Sequence, residues 1–367
     1  MELLKNWKLC GKIHTSELFP TKWSGLIFVA YMAFFVNQGL LVTASQQADS
    51  GYHYNTIAAV LATEVVKLII SILLFTKDHK VVQLISETKT HIKVMYHYFV
   101  PAFLYCLYNN LAFVNLSVFD PTSYYLLLQF RVVVTGVLFQ MLFKKQLSTK
   151  QWLSLVLLTA GCIIKQLPFS SSSPTTDPPV QQVTDPDVVI TSMDKHMTSV
   201  FSWNMLLILI QIVCSCLAGV YNELLLKSTD SEACNIYIQN TFMYVDSIVC
   251  NVALLGWQGQ LSVVWDTTQL DHLLDFKVIL VILNNAAIGI VTSFFLRSLN
   301  SILKTFASAL ELIFTALLTW LFFSIPIHLN TFFAIFVVSI AVIMYSQNPV
   351  INVRIPKETT FKEVSSV

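Results

Sequence analysis

Residues 123–143 read Ser-Tyr-Tyr-Leu-Leu-Leu-Gln-Phe-Arg-Val-Val-Val-Thr-Gly-Val-Leu-Phe-Gln-Met-Leu-Phe, with Arg131 as the sole charge. A helix needs about 20 predominantly apolar residues to cross a bilayer core, and this stretch has that length. A charge at the centre of such a helix costs roughly 2.5 to 3.5 kcal/mol on insertion scales. The run therefore predicts a membrane-crossing helix whose one cation needs a partner or a water-filled cavity.

Nine further apolar runs surround it, over residues 26–42, 57–75, 98–118, 152–167, 203–226, 236–255, 278–296, 303–323 and 329–345. Composition agrees with ten crossings. Of 367 residues, 55% are hydrophobic and 12% charged, whereas soluble domains carry about 25% charge. The predicted fold class is an all-α polytopic membrane protein with ten transmembrane helices. A net charge of +1 gives no reason to expect a nucleic-acid partner; membrane lipid is the surrounding expected.

Basic residues set the orientation. With the N-terminus in the cytosol, 17 of the 22 Lys and Arg fall on the cytosolic side, and only Lys165, Lys195 and Lys277 on the other. Lys67 and Arg131 lie inside spans. This positive-inside bias predicts N-in, C-in topology. No short apolar segment with a small-residue cleavage site precedes the first span, so no cleaved signal peptide is expected.

The domain reading is a cytosolic tail over 1–22, a first five-helix unit over 23–167, a luminal Ser/Pro/Asp-rich linker over 168–200, a second five-helix unit over 201–347, and a cytosolic tail over 348–367. Faint echoes relate the halves. Asn109-Asn110 recurs as Asn284-Asn285, Phe119-Asp-Pro as Leu299-Asn-Ser, and the segment after Phe143 as that after Phe323, at offsets of 175 to about 181 residues. Five spans per half is an odd number, so the two repeats insert with opposite orientation.

Six ionisable residues lie within the predicted spans: Glu64, Lys67, Arg131, Glu223, Asp246 and Glu311. Glu64 and Lys67 are three apart and share a helix face, as a structural ion pair or as cavity charges. Arg131 has no acid three or four residues away, and Tyr124 and Leu128 share its face. A lone guanidinium at mid-span suits a bidentate grip on phosphate, with snorkelling to the interface as the alternative. Asn109 and Asn110, with Tyr105 one turn earlier, offer groups for a base or ribose or for helix-to-helix hydrogen bonds. Asn240 and Tyr244 offer the same choice. Arg297 and Lys304 bracket a short cytosolic loop, as anchors or as a second phosphate grip. Glu311 is open between pairing with a base and taking up a proton, and Asp246 is likewise open.

Enzyme chemistry is not expected. The chain has no GxSxG, HExxH, Walker or DxD motif. Its seven cysteines, Cys10, Cys106, Cys162, Cys214, Cys216, Cys234 and Cys250, form no CxxC pair, so neither a metal site nor a disulfide framework is predicted. The Asn115-Leu-Ser sequon sits at the predicted end of a span, close to the membrane, and the sequence leaves its glycosylation open.

Five segments together carry a resemblance. They are Thr63-Glu-Val-Val-Lys-Leu68; Tyr105-Cys-Leu-Tyr-Asn-Asn-Leu-Ala-Phe; Tyr124 with Gln129 to Arg131; Lys144-Lys-Gln-Leu-Ser-Thr-Lys-Gln-Trp152; and Ala218-Gly-Val-Tyr-Asn-Glu-Leu-Leu-Leu-Lys227. The chain resembles the nucleotide-sugar transporter family, in its UDP-galactose, UDP-N-acetylglucosamine and CMP-sialic acid branch. That resemblance implies ten helices in two inverted five-helix repeats, no cofactor, Golgi residence with the endoplasmic reticulum as second choice, and exchange of a cytosolic nucleotide sugar for a luminal nucleoside monophosphate. UDP-galactose is the favoured cargo and UMP its counter-substrate. Tyr105, Asn109, Asn110, Tyr124, Asn240 and Tyr244 would meet the nucleoside. Arg131 and Arg297 would stand where the family has phosphate-facing lysines, and Glu64, Lys67, Glu223, Lys304 and Glu311 would be structural or cavity charges. A homodimer and association with glycosyltransferases complete the partner expectations. The alternatives are a related transporter for another phosphorylated anion and a Golgi scaffold that has lost transport.

Overall fold

A computed structural model describes residues 15–45, 56–116, 119, 121–166, 203–228, 234–259, 273–323 and 329–350. The 168–200 linker and most of both tails lie outside the described residues. Among those described, all regular structure is helical: α1 Thr15–Leu18, α2 Lys22–Ser45, α3 Thr56–Asp78, α4 Val81–Thr90, α5 Ile92–Leu116, α6 Pro121–Leu128, α7 Arg131–Leu142, α8 Thr149–Gln166, α9 Trp203–Lys227, α10 Ile236–Trp257, α11 Phe276–Ser298, α12 Ser301–Phe323 and α13 Leu329–Gln347.

Among the described residues, five segments are long and apolar enough to cross a membrane: Ala58–Asp78, Tyr124–Leu142, Trp203–Lys227, Phe276–Ser298 and Leu329–Gln347. Their outer faces carry large apolar side chains, such as Leu73 and Phe336, at 62% and 65% exposure. Exposed apolar area on that scale suits lipid and not water. The chain is a polytopic membrane protein.

The run over 123–143, expected as one helix, is two. Gln129 N donates to Leu126 O at 3.2 Å, Phe130 N to Leu127 O at 3.1 Å and Val132 N to Gln129 O at 3.2 Å. These i→i+3 bonds tighten the ladder into a 3₁₀ turn, a form often found mid-helix at a functional hinge. The extra winding separates residues that an unbroken helix would align. Tyr124 and Leu128 pack with Ile208 and Ile212 of α9, while Arg131 turns into a cavity.

The central helices pack as α5 on α9, α2 on α11, α3 on α10, α5 on α10, α3 on α11, α7 on α9 and α2 on α12, with α8 on α13 outside them. Amide pairs bridge two of these contacts. Asn115 donates to Gln211 Oε1 at 2.7 Å between α5 and α9, and Asn37 donates to Asn284 Oδ1 at 2.8 Å between α2 and α11. Asn284 also donates to the Phe34 carbonyl. Asn115 and Asn284 therefore fasten helices to each other.

Small residues set the closest approaches. A Cβ on Gly161 of α8 would stand 2.7 Å from Val338 Cγ2 and 3.3 Å from Val338 N of α13. The main apolar cluster, including Leu155, Leu158, Phe295, Phe306, Val338 and Tyr345, joins α8, α11, α12 and α13, with the Phe306 and Tyr345 rings stacked at 4.4 Å.

Candidate functional site: a cationic cavity at the start of α12

The α11 helix ends at Ser298 with Leu299 as its C-cap, and α12 begins at Ser301. Asn300 caps the new helix: its Oδ1 accepts from Leu303 N at 2.7 Å and its carbonyl accepts from Lys304 N at 3.1 Å. This local structure fixes the first turn of α12 and aims Ser301, Lys304, Thr305 and Ser308 at one cavity of about 100 Å³. Gln129, Arg131 and Thr135 close it from the α6–α7 side, Ser215, Cys216 and Gly219 from α9, and Cys162 from α8.

Two cations and six hydroxyl or amide side chains thus line this space, with no carboxylate among the lining residues. Neither Arg131 nor Lys304 makes an ion pair among the described residues, whose membrane-embedded pairs are Lys67–Glu64 and Lys227–Glu223. Glu311, two turns beyond Lys304, lies within the field of Arg131 without bonding it. Lys304 also sits at the positive end of the α12 dipole, where a cation is disfavoured. Two positive charges without an ion pair among the described residues, near a helix N-terminus and among hydroxyl donors, have the chemistry to accept an anion.

The sequence-predicted residues fall into three groups. Arg131 and Lys304 share the cavity, and the Tyr105 hydroxyl lies 3.7 Å from the Cβ position of Gly219 on its wall. Asn109 is half-buried, and the Asn110 amide is spent on its own helix at the Cys106 carbonyl, 2.7 Å away. Tyr124 accepts from Gln211 Nε2 at 2.7 Å, extending the Asn115–Gln211 bridge.

The second group lies between α3, α10 and α11. Lys67 Nζ pairs with Glu64 at 2.6 Å and stands 5.5 Å from the Tyr244 ring centroid, a cation–π distance. Its stem crosses Gly289, where a Cβ would meet Lys67 Cε at 2.5 Å. Asn240 Nδ2 and Asp246 Oδ2 are buried without hydrogen-bond partners among the described residues, and Tyr244 Oη neighbours Ser293.

Arg297 stands apart from the cavity, in a third grouping. It lines a separate groove with His79, Glu87, Cys234, Tyr237 and Phe294. Its helix ends before the Leu299–Asn300 reversal, so it points away from the cavity that Lys304 enters. Lys304, expected among the structural or cavity charges, is the cation beside Arg131.

Glu223 has a role that no local motif signals. It is fully buried, pairs with Lys227 at 2.6 Å, and accepts from the amide and hydroxyl of Ser301 at 2.6 and 2.5 Å. The described residues contain no group of three His, Cys, Asp or Glu that could hold a metal ion.

A model of nucleotide-sugar transporters matches residues 21–346. The chain belongs to the nucleotide-sugar transporter family. That membership makes it a transporter and not an enzyme. Among relatives of this nucleotide-sugar transporter, the "UDP-galactose transporter senju" of Drosophila melanogaster is 52% identical over 347 residues, covering 92% of this chain and 89% of that one. The "CMP-sialic acid transporter 4" of Arabidopsis thaliana is 27% identical over 339 residues, covering 91% and 88%. A solved crystal structure aligns with a TM-score of 0.59 at 12% identity over 87% of this chain and 95% of that one, a likeness of fold. The family resemblance read from the Tyr105–Phe113 and Ala218–Lys227 segments is borne out across the chain.

Proposed function

We propose that this transporter carries UDP-galactose across the Golgi membrane into the lumen in exchange for UMP, with the phosphates held between Arg131 and Lys304. The observation that carries the reading is the cavity itself: two cations without an ion pair among the described residues, surrounded by hydroxyls, in a nucleotide-sugar transporter. The identity of the cargo rests on the 52% identity to a UDP-galactose transporter. Tyr105, Asn109, Asn240 and Tyr244 supply the remaining contacts, to base and ribose.

Ten crossings in two inverted repeats, with both termini in the cytosol, complete the proposal. Packing supports it. Exchange α2 with α9, α3 with α10, α5 with α11, α7 with α12 and α8 with α13, and each principal contact maps onto another: α5–α9 onto α2–α11, α5–α10 onto α3–α11, α7–α9 onto α2–α12, while α3–α10 and α8–α13 map onto themselves. Inverted repeats place a central site between two units that rock about it. Obligate exchange follows if the cationic cavity reorients readily only when an anion neutralises it, because uncompensated charge in hydrocarbon is costly.

Proteoliposomes carrying the full chain test the reading. Luminal UMP is expected to accelerate uptake of labelled UDP-galactose over empty vesicles. Equal uptake with and without UMP removes the exchange, and preference for another nucleotide sugar reassigns the cargo.

A further inference from the structure

The carboxylate of Glu223 is buried and tied to both sides of one chain reversal. One oxygen accepts from Lys227 Nζ at 2.6 Å. The other accepts from Ser301 N at 2.6 Å and Ser301 Oγ at 2.5 Å. Lys227 Nζ in turn donates to the Leu299 carbonyl. An ion pair on α9 therefore holds the end of α11 and the first amide of α12 together, at termini that otherwise leave such groups unsatisfied.

Its location gives the clamp a second consequence. Ser215, Gly219 and Glu223 are spaced four residues apart on one face of α9, and the first two line the Arg131 cavity. Ser301 is itself a lining residue, and Lys304 follows it by one turn. Ser301 Oγ also approaches the Gly219 carbonyl at 3.5 Å. A buried ion pair often contributes little net stability over apolar residues of similar volume. Here its geometry sets where a cation and a hydroxyl meet the cavity.

We propose that Glu223 is a positioning residue for the anion site: it fixes the first turn of α12 against α9 so that Ser301 and Lys304 face Arg131. The proposal rests on the assignment of Arg131 and Lys304 as the phosphate grip, and its test separates the two. UMP affinity is measured by titration calorimetry on the full-length protein in detergent, for wild type, Glu223→Gln, Lys304→Ala and the double variant. Hydrogen exchange over residues 299–305 is followed in parallel.

Loss of a charge-assisted hydrogen bond predicts at least about tenfold weaker UMP binding for Glu223→Gln. The double variant is expected to be no weaker than the worse single one, because Lys304 without its clamp has already lost its place. Exchange at 299–305 rises in Glu223→Gln while α8 and α13 keep their protection. Additive losses in the double variant, or unchanged exchange at 299–305, overturn the proposal. If Lys304→Ala binds UMP as wild type does, the phosphate grip is wrong, and the exchange measurement alone decides whether Glu223 holds α12. Should Glu223→Gln fail to fold, Ser301→Ala, which keeps the backbone contact, enters the same cycle with an expected loss of about threefold. Additivity there also overturns the proposal.

Discussion

Arg131 and Lys304 face one cavity from different helices, and neither has a carboxylate partner among the described residues. Intramembrane cations left without counter-ions are costly unless a ligand or water compensates them. The contrast with Glu64–Lys67 and Glu223–Lys227, both paired at 2.6 Å, is what singles out Arg131 and Lys304 as the proposed anion grip.

Gly289→Ala tests the role of the Lys67 cluster. The added Cβ would stand 2.5 Å from Lys67 Cε, and a lysine end can swing aside. The melting temperature is therefore expected to shift little, by less than about 1 kcal/mol of stability, while Lys67 leaves its post over Tyr244 and uptake falls. Unchanged uptake would make the cluster structural alone.

Gly161→Ala addresses the α8–α13 contact. Here the neighbour is Val338, including its backbone nitrogen at 3.3 Å, which cannot move without the helix. Overpacking is expected to cost about 1 to 3 kcal/mol, and Val338→Ala added to it should restore part of that loss. Thermal unfolding in detergent reads both effects. No drop in the single variant would mean the helices are farther apart than described.

Cys234, in the segment between α9 and α10, offers a pH-dependent check. Burial pushes its thiol up to about 12, with Glu87 adding to the rise and Arg297 opposing it. A raised thiol pKa leaves almost no thiolate at neutral pH, and the thiolate is the reactive form. With labelling read at the Cys234 peptide, maleimide is expected to modify it at pH 7.5 only after denaturation, with slow reaction in the folded protein up to about pH 9. Rapid labelling of Cys234 in the native protein would contradict the packing around Arg297.

Asn115 should carry no glycan. It is 1% exposed and donates to Gln211, so an oligosaccharide on its amide would break the bridge to α9. Glycosidase treatment is expected to leave electrophoretic mobility unchanged, and Asn115→Gln should match wild type. A mobility shift abolished by Asn115→Gln would refute the burial.

Helices and the unpaired state of Arg131 were legible in the sequence, because apolar runs and a lone charge are local signals. What escaped reading depends on contacts between distant segments. Arg297 and Lys304 bracket the same turn and look equivalent until the Asn300 cap fixes which of them enters the cavity. The break at Gln129-Phe130 has no Pro or Gly to announce it, so Tyr124 and Arg131 seemed to share a face. Glu223 read only as a structural or cavity charge, since its partner Ser301 lies on another helix. Gly289 acquires meaning only when Lys67 of α3 crosses it.

The most direct test is uptake of labelled UDP-galactose into UMP-loaded proteoliposomes by Arg131→Ala, Lys304→Ala and Arg297→Ala chains incorporated at equal levels. Truncating a buried charge that grips its partner costs about 2 kcal/mol or more, so the first two variants are expected to lose roughly 30-fold or more in apparent affinity. Arg297→Ala should stay near wild type, because its groove is separate from the cavity. Wild-type transport by Arg131→Ala and Lys304→Ala, with loss confined to Arg297→Ala, would contradict the phosphate site proposed here.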